Sequence, residues 1–251
     1  MLKVVCVVEY DGTAFHGSQY HPDVRTVQGE LNKALFIIFK RTIKTDMSGR
    51  TDAGVHANYQ VFSFERVNER MREKNVKEAL NSLLPKDMHV RDVWFTSDDF
   101  NPRSFATKRI YHYFILNKPE KNVFLRNRAW WFPYPLNLKK MREAARYLEG
   151  HHDFTSFVSK DKNDDRSPLR LIFRIRIIRL SKFILVRVEG KSYLKRMVRN
   201  IVGTLVKVGT GSWKPEYVKE ILEMKDRSKA GATAPPEGLY LYRVYFKDGG
   251  S

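Results

Sequence analysis

The strongest constraint on the fold is a pair of β-branched, alternating segments separated by only two residues. The first spans residues 169–180 (LRLIFRIRIIRL), the second spans 183–189 (FILVRVE), and Ser181-Lys182 joins them. Two extended segments with so short a connection are typical of a β-hairpin. The arginines of this hairpin are predicted to alternate onto one face.

The remainder of the chain alternates strand and helix patterns. Strands are predicted over residues 2–10, 43–47, 57–64, 89–95, 107–117 and 239–246, and helices over 26–39, 76–84, 138–148, 192–208 and 215–224. Thr26 is a possible N-cap, and Gly150 is expected to end the third helix at its C′ position. Each half therefore supplies about four strands and two helices in similar order, with adjacent strands often connected as hairpins. This pattern predicts an α+β fold of two similar halves, each with a mainly antiparallel sheet and helices.

Prolines mark the expected boundary between the halves. Pro119, Pro133 and Pro135 cluster between the last strand of the first half and the first helix of the second. The predicted domains are residues 1–118 and 119–251, with an approximate boundary.

Charge and composition limit the class of protein. The chain has 251 residues, and 46 Lys+Arg against 28 Asp+Glu give 46 − 28 = +18. With 42% hydrophobic residues, it has enough apolar material for a folded core, which excludes a disordered basic tail as the whole chain. Such an excess of positive charge calls for a polyanionic partner, either nucleic acid or an acidic membrane surface.

The expected cellular location of the protein follows from its cysteine count and from the length of its apolar segments. Cys6 is the single cysteine, so an internal disulfide, a cysteine-rich zinc site and an iron–sulfur cluster held by this chain alone are excluded. No run of eighteen apolar residues occurs, and the first residues predict a strand instead of a secretory signal. We therefore expect a cytoplasmic protein without a membrane segment.

The sequence lacks complete versions of the common cofactor and metal-binding motifs. Gly49 and Gly54 have the glycine spacing of a phosphate-binding loop, but Val55-His56 follows where lysine and a hydroxyl are needed. The string Gly209-Thr210-Gly211 lacks the third glycine of a dinucleotide fingerprint and follows a helix. His151 and His152 are adjacent, which does not favour joint ligation of one metal. Neither a cofactor nor a metal is expected.

The segment 49–57 (GRTDAGVHA) contains the densest group of candidate functional residues in the sequence. Two glycines bracket an arginine, a threonine and Asp52, a composition that can hold a carboxylate on a tight, exposed turn between two strands. Composition alone leaves two interpretations open: Asp52 forms an Asx-turn with its own backbone, or it is a functional acid.

Further strings extend a resemblance that begins with this loop. These are YDGT at 10–13 with Phe15, Gly17 and Gln19, TVQ at 26–28, NPRSFA at 101–106, RIYHY at 109–113, GHHDFTSF at 150–157, MVRNIVG at 197–203 and APPEGL at 234–239. These strings run in order across nearly the whole chain. On this basis the chain resembles the TruA-type tRNA pseudouridine synthases. Ser18 departs from the pattern, because the family often has tryptophan there.

The resemblance implies a pseudouridine synthase fold with the active-site cleft between the halves, and an isomerase that needs no cofactor. Asp52 is implied as the essential catalytic carboxylate, and Arg50 as the residue that engages the substrate and extrudes the base. Arg199 is implied as the ion-pair partner of Asp52. Tyr111 is implied to stack against the target base, with its hydroxyl a candidate for the proton removed from C5, whereas Tyr113 is assigned to packing.

A basic surface is expected to bind the RNA. Lys191, Lys195 and Arg199 recur every four residues on the predicted fourth helix, which leaves an ordinary solvated face as the alternative. The residues available to this surface are Arg170, Arg174, Arg176, Arg179, Lys191, Lys195 and Arg196.

The resemblance also implies the partners. The expected substrate is tRNA, modified at uridines 38 to 40 of the anticodon arm, by a homodimer in which one tRNA bridges both subunits. The first alternative is a non-catalytic module that binds structured RNA. The second is a metal-dependent nuclease using Asp161, Asp164 and Asp165, although neighbouring lysines and an arginine make local charge neutralisation the simpler interpretation.

Overall fold

The computed structural model describes residues 2–159 and 167–247, which form two compact units. The first unit comprises residues 2–107 and 240–247, and the second comprises 108–159 and 167–239. The last strand of the chain thus belongs with the first unit. The predicted halves 1–118 and 119–251 stay a prediction.

Ten strands and five α-helices occur in the described part of the chain. The strands are β1 (Leu2–Tyr10), β2 (Thr45–Met47), β3 (His56–Glu65), β4 (Met88–Ser97), β5 (Ala106–Leu116), β6 (Trp130–Trp131), β7 (Gly150–Asp153), β8 (Leu169–Leu180), β9 (Phe183–Gly190) and β10 (Leu239–Phe246). The helices are α1 (Val27–Phe39), α2 (Glu73–Leu83), α3 (Leu138–Arg146), α4 (Met197–Gly209) and α5 (Tyr217–Met224).

The sheet of the first unit is ordered β4-β1-β3-β10, and β2 also pairs with β3. β1 is antiparallel to both β3 and β4, whereas β10 runs parallel to β3 through Tyr240 and Leu241. β1 has a strand on each side, and its middle, from Val4 to Val8, is buried at every position, so both of its faces are covered there. Continuous apolar sequence of this kind is expected where both sheet faces are covered.

The sheet of the second unit is ordered β5-β9-β8-β7, and β6 pairs with β5. The hairpin of β8 and β9 is confirmed, and Ser181 in its two-residue turn has φ +50°. All the pairs on this path are antiparallel. The α+β class with mainly antiparallel pairing is therefore confirmed.

Helix ends follow local chemistry. α1 begins where predicted, because the Thr26 side chain accepts a hydrogen bond from Gly29 N. The prediction for the end of α3 was wrong: the helix ends at Arg146, with Tyr147 as its C-cap, and Gly150 instead begins β7. Gly150 does have φ +106°, so glycine is needed there to turn the chain into the strand.

The hairpin arginines do not all share one face. Arg174 and Arg176 are exposed and alternate with the buried Ile175 and Ile177. Arg179 has the opposite parity, so the prediction of a single arginine face was wrong at this residue.

Candidate active site

The loop that carries Asp52 connects β2 to β3. These strands pair antiparallel with Met47 opposite Phe62, so the loop leaves and re-enters the same sheet. Asp52 is half-buried and Arg50 is exposed. Val55 N donates to the Asp52 carbonyl at 3.2 Å, which closes a tight turn. The predicted position of this carboxylate, on a turn between two strands, is confirmed.

A buried amide holds the start of the loop. Gln60 lies on β3 with no exposed surface. Its Nε2 donates to the Gly49 carbonyl at 2.7 Å, and its Oε1 accepts from Ser48 Oγ at 2.7 Å. Because a buried polar group that loses its partner pays its full desolvation cost, this arrangement favours one backbone path into the loop.

The residue before Asp52 is held from the other side. Thr51 N donates to Ser18 Oγ at 2.8 Å, and Ser18 N donates to the Thr51 carbonyl at 3.1 Å. Thr51 Oγ1 also lies 2.8 Å from the Tyr10 hydroxyl. Burial raises the pKa of Tyr10 to about 12, although hydrogen bonds with Thr51 and Gln60 act against the shift. The Tyr10 hydroxyl therefore keeps its proton at neutral pH.

Two glycines, Gly12 and Gly17, allow the segment after β1 to pack directly against the backbone of the Asp52 loop. A Cβ on Gly12 would lie 2.0 Å from the Val55 carbonyl oxygen. Gly17 has φ +94°, and a Cβ there would lie 3.0 Å from the Thr51 carbonyl oxygen. Only glycine fits both positions without displacement of backbone. The YDGT string and Gly17 thus belong structurally to the loop that follows them by some 35 residues.

Ser18, Gln60 and the role of Tyr10 were not predicted from the sequence. The available signal was Gln60, a polar residue between the apolar Tyr59 and Val61. Ser18 was noted only as a departure from the family pattern, yet its hydroxyl accepts a hydrogen bond from the loop backbone.

Tyr111 lies on β5, opposite Val188 of β9, and its residue surface is 7% exposed. Its ring meets the Tyr193 ring edge-on, with centroids 5.0 Å apart. The Tyr193 hydroxyl donates to the carbonyls of Arg109 and Val188, both at 3.1 Å, which fixes that ring. Tyr111 is therefore held by the strand pairing behind it and by an aromatic neighbour beside it.

Tyr113 is a packing residue, as predicted. It is fully buried, and its hydroxyl donates to the Pro235 carbonyl at 2.8 Å. Burial raises its pKa well above the ordinary value. Between the two tyrosines, His112 is also buried, and burial together with the Arg187 charge lowers its pKa to about 4, against the opposing effect of Glu189. His112 is therefore neutral at physiological pH.

Arg199 lies in the first turn of α4 and is half-buried. Its Nε donates to the Ala234 carbonyl at 2.8 Å, and Ala234 N donates to the Arg199 carbonyl at 3.2 Å. Next to it, the buried Asn200 donates to the Phe157 carbonyl at 2.7 Å and accepts from Thr233 Oγ1 at 2.7 Å. Residues of the GHHDFTSF, MVRNIVG and APPEGL strings therefore meet around one turn of helix.

The predicted basic stripe on this helix was wrong. α4 begins only at Met197, so Lys191 and Lys195 precede it. Arg196, at the N-cap, has a left-handed backbone with φ +59°, which cannot continue a right-handed helix toward the N-terminus. Arg199 is the one member of the stripe that lies on α4.

The predicted site residues thus divide between the two units. Asp52 and Arg50 belong to the first unit, and Tyr111 and Arg199 to the second. Their roles stay predictions.

Neither a metal-binding cluster nor a membrane-spanning helix occurs in the described part of the chain. Within residues 2–159 and 167–247, histidine, cysteine, aspartate and glutamate side chains form no group of three that could hold a metal ion. Over the same ranges, no helix combines the length and the apolar character needed to cross a bilayer. The acids of the nuclease alternative, Asp161, Asp164 and Asp165, lie outside the described residues.

Comparison with known proteins places the chain in a family. The model of a family described as tRNA pseudouridine synthase matches residues 6–98 and 144–247. A protein of Thermotoga neapolitana is 57% identical over 98% of this chain and 100% of its own length, and one of Thermotoga sp. is 56% identical with the same coverage. A protein of Thermosipho africanus is 56% identical over 94% of this chain and 96% of its own.

The fold and these matches define a pseudouridine synthase, so the predicted enzyme class, an isomerase, is confirmed. The chain belongs to the tRNA pseudouridine synthase family. All three relatives bear the name tRNA pseudouridine synthase A.

Proposed function

We propose that this protein converts uridine to pseudouridine in the anticodon stem-loop of tRNA, at positions 38 to 40, with Asp52 as the catalytic carboxylate. The observation that carries the proposal is the loop itself: buried hydrogen bonds from Gln60, Ser18 and Tyr10 hold the residues on the N-terminal side of Asp52, while Asp52 stays half-buried on a closed turn. A side chain placed this way pays little ordering cost when the substrate arrives.

The reaction needs a carboxylate and no external oxidant. The bond from ribose C1′ to uracil N1 breaks, the base turns, and C5 joins the same carbon. C5 then loses a proton and N1 gains one, so atoms and charge balance. Asp52 can attack the sugar carbon, attack the base, or remove the ribose C2′ proton to give a glycal. Each route uses the ionised form of the carboxylate.

The other proposed roles follow from the family resemblance. Arg199 compensates the charge of Asp52, Tyr111 stacks on the target base and takes part in removal of the C5 proton, and Arg50 aids extrusion of that base. Extrusion costs a few kcal/mol, and stacking on one aromatic ring returns about 1–3 kcal/mol. Tyr111 alone can therefore offset much of the cost of extrusion.

We propose further that tRNA is bound by a homodimer in the cytoplasm. The family resemblance supports the dimer. The single cysteine supports a reducing compartment, because Cys6 has no second cysteine in the chain with which to form a disulfide.

The test is single-nucleotide mapping of pseudouridine in unmodified tRNA incubated with wild-type protein or with Asp52→Ala, without added metal or cofactor. We expect new pseudouridine in the anticodon arm with the wild type and none with Asp52→Ala, while tRNA affinity is retained. Asp46→Ala is the matched control, because Asp46 is also a half-buried aspartate, on the adjacent strand β2. It should retain activity. Tight tRNA binding without pseudouridine from any of the three proteins would favour the non-catalytic module instead.

A further inference from the structure

A nearly fully exposed phenylalanine, which has no proposed catalytic role, lies in the second unit. Phe124 is 88% exposed and its neighbour Val123 is 64% exposed. Single apolar residues on a surface are common, but an aromatic side chain with almost no packing contributes little to its own fold. The exposure of Phe124 is therefore better explained by contact with a partner than by a contribution to the fold.

The segment around Phe124 is a built turn. Residues 118–128, here named the basic loop, contain a short 3₁₀ helix at Val123–Leu125. The Asn122 side chain accepts from Phe124 N at 3.0 Å, Leu125 N donates to the Asn122 carbonyl at 3.1 Å, and Arg128 N donates to the Leu125 carbonyl at 3.0 Å. These bonds hold the backbone from which the Phe124 side chain projects.

The base of the basic loop is also attached to the unit. Trp131 Nε1 donates to the Lys118 carbonyl at 3.0 Å, and Lys121 Nζ lies 4.5 Å from the centroid of the Trp131 ring. Because this turn is attached, its backbone loses little conformational entropy when the ring binds a partner.

The charge of the basic loop decides between partners. Lys118, Lys121, Arg126 and Arg128 stand against Glu120, so 4 − 1 gives +3 in eleven residues. A second copy of this chain that met this surface about a two-fold axis would bring the same positive loop, which disfavours a symmetric contact between copies through it. A polyanion with exposed aromatic faces matches both features, and single-stranded RNA has phosphates beside unstacked bases.

We propose that the basic loop is an additional tRNA contact, in which Phe124 stacks on an unpaired base while the neighbouring cations contact the phosphates. This inference deepens the proposed function and rests on tRNA being the substrate. It assigns Phe124 to substrate affinity and leaves the chemical step to other residues.

The test is equilibrium binding of unmodified tRNA by filter retention, which needs no catalysis. Phe124→Ala should bind tRNA about 5- to 150-fold more weakly, the range expected from loss of one base–aromatic stack. Phe124→Tyr keeps an aromatic face and should bind like the wild type, whereas Phe124→Leu keeps only apolar volume and should resemble Phe124→Ala. A fully paired RNA duplex offers no unstacked base, so all four proteins should bind it equally.

Leu83→Ala is the control for the loss of an exposed apolar side chain, since Leu83 is 40% exposed on α2, whose two lysines balance its two glutamates. It should leave tRNA affinity unchanged. Unchanged tRNA binding by Phe124→Ala would overturn the proposal. Wild-type binding by Phe124→Leu, with dissociation of an oligomer in Phe124→Ala, would also overturn it by showing a protein interface. If the wild type formed no pseudouridine, the binding series would still decide the role of Phe124.

Discussion

Gln60 and Ser18 hold the Asp52 loop at different points, and their bonds make the catalytic proposal testable without touching the reacting groups. Gln60 bonds the Gly49 carbonyl and the Ser48 hydroxyl, and Ser18 bonds the Thr51 backbone at both its N–H and its carbonyl. If these contacts position Asp52, their loss should slow the chemical step more than it weakens RNA binding.

The residue-scale prediction concerns Gln60→Ala. We expect kcat for pseudouridine formation to fall about 10- to 100-fold, with KM for tRNA little changed, because a misplaced catalytic group loses transition-state geometry. The free energy of unfolding should fall by about 1–3 kcal/mol, since two buried polar groups lose their partner. Steady-state kinetics and urea unfolding measure both quantities.

Asn81→Ala supplies the matched control. The Asn81 side chain bridges backbone in the same way, donating to the Val90 carbonyl at 3.0 Å and accepting from Val90 N at 2.7 Å, but in the α2–β4 region. It should lose stability and keep kcat. An equal loss of kcat in both variants, at a temperature where both are folded, would refute a positioning role for Gln60.

At the scale of elements, local patterns predicted most of the boundaries because their causes are local. Thr26 caps α1, and Ser181-Lys182 turns the β8–β9 hairpin. The start of α4 was missed because it depends on the left-handed backbone of Arg196, which side-chain periodicity does not reveal. The parallel pairing of β10 with β3 was equally hidden, since Tyr240 and Leu241 meet residues 56 and 57 from the far end of the chain.

The same contrast holds for the candidate site. The loop with Asp52 was visible because glycine, arginine and a carboxylate on one turn form an unusual local composition. The residues that hold this loop, Ser18 and Gln60, could not be predicted, because they lie in other segments of the chain and only folding brings them to the loop.

The element-scale prediction concerns the packing of α4 against the segment that bonds Arg199. A Cβ on Gly203 would lie 1.8 Å from the Ala232 carbonyl oxygen, a backbone atom. Alanine ordinarily stabilises a helix relative to glycine, but here we expect Gly203→Ala to lower the free energy of unfolding by about 1–3 kcal/mol through overpacking. Urea denaturation measures the change.

Gly209→Ala, on the same helix, is the comparison. A Cβ there would meet Met141 Sδ at 2.7 Å, and a flexible methionine side chain can move aside where backbone cannot. Gly209→Ala should therefore cost less than Gly203→Ala. Equal costs would mean that the segment at Ala232 yields as readily as a methionine side chain.

At the scale of the whole molecule, the charge of +18 sets how the enzyme holds its substrate. Under the proposed function, one carboxylate, Asp52, serves three neighbouring positions, which requires loose recognition at the target and firm recognition of the rest of the tRNA. Long-range attraction to phosphates suits firm recognition of the tRNA body, because it depends on the shape and charge of the RNA and not on its base sequence.

We therefore expect the isolated anticodon arm to be a poor substrate compared with the whole tRNA. Its kcat/KM should be lower by on the order of 100-fold, which corresponds to about 2.7 kcal/mol of lost interaction. The dependence of log affinity on log salt concentration should also be shallower for the arm, because fewer phosphates are neutralised when it binds. Kinetics and salt titrations with both RNAs measure these differences, and an RNA as long as the tRNA that carries the same arm in an unrelated sequence controls for RNA size. Full activity on the isolated arm, with the same salt slope as the whole tRNA, would show that the surface outside the anticodon arm contributes nothing and would leave the positive charge to be explained by other partners.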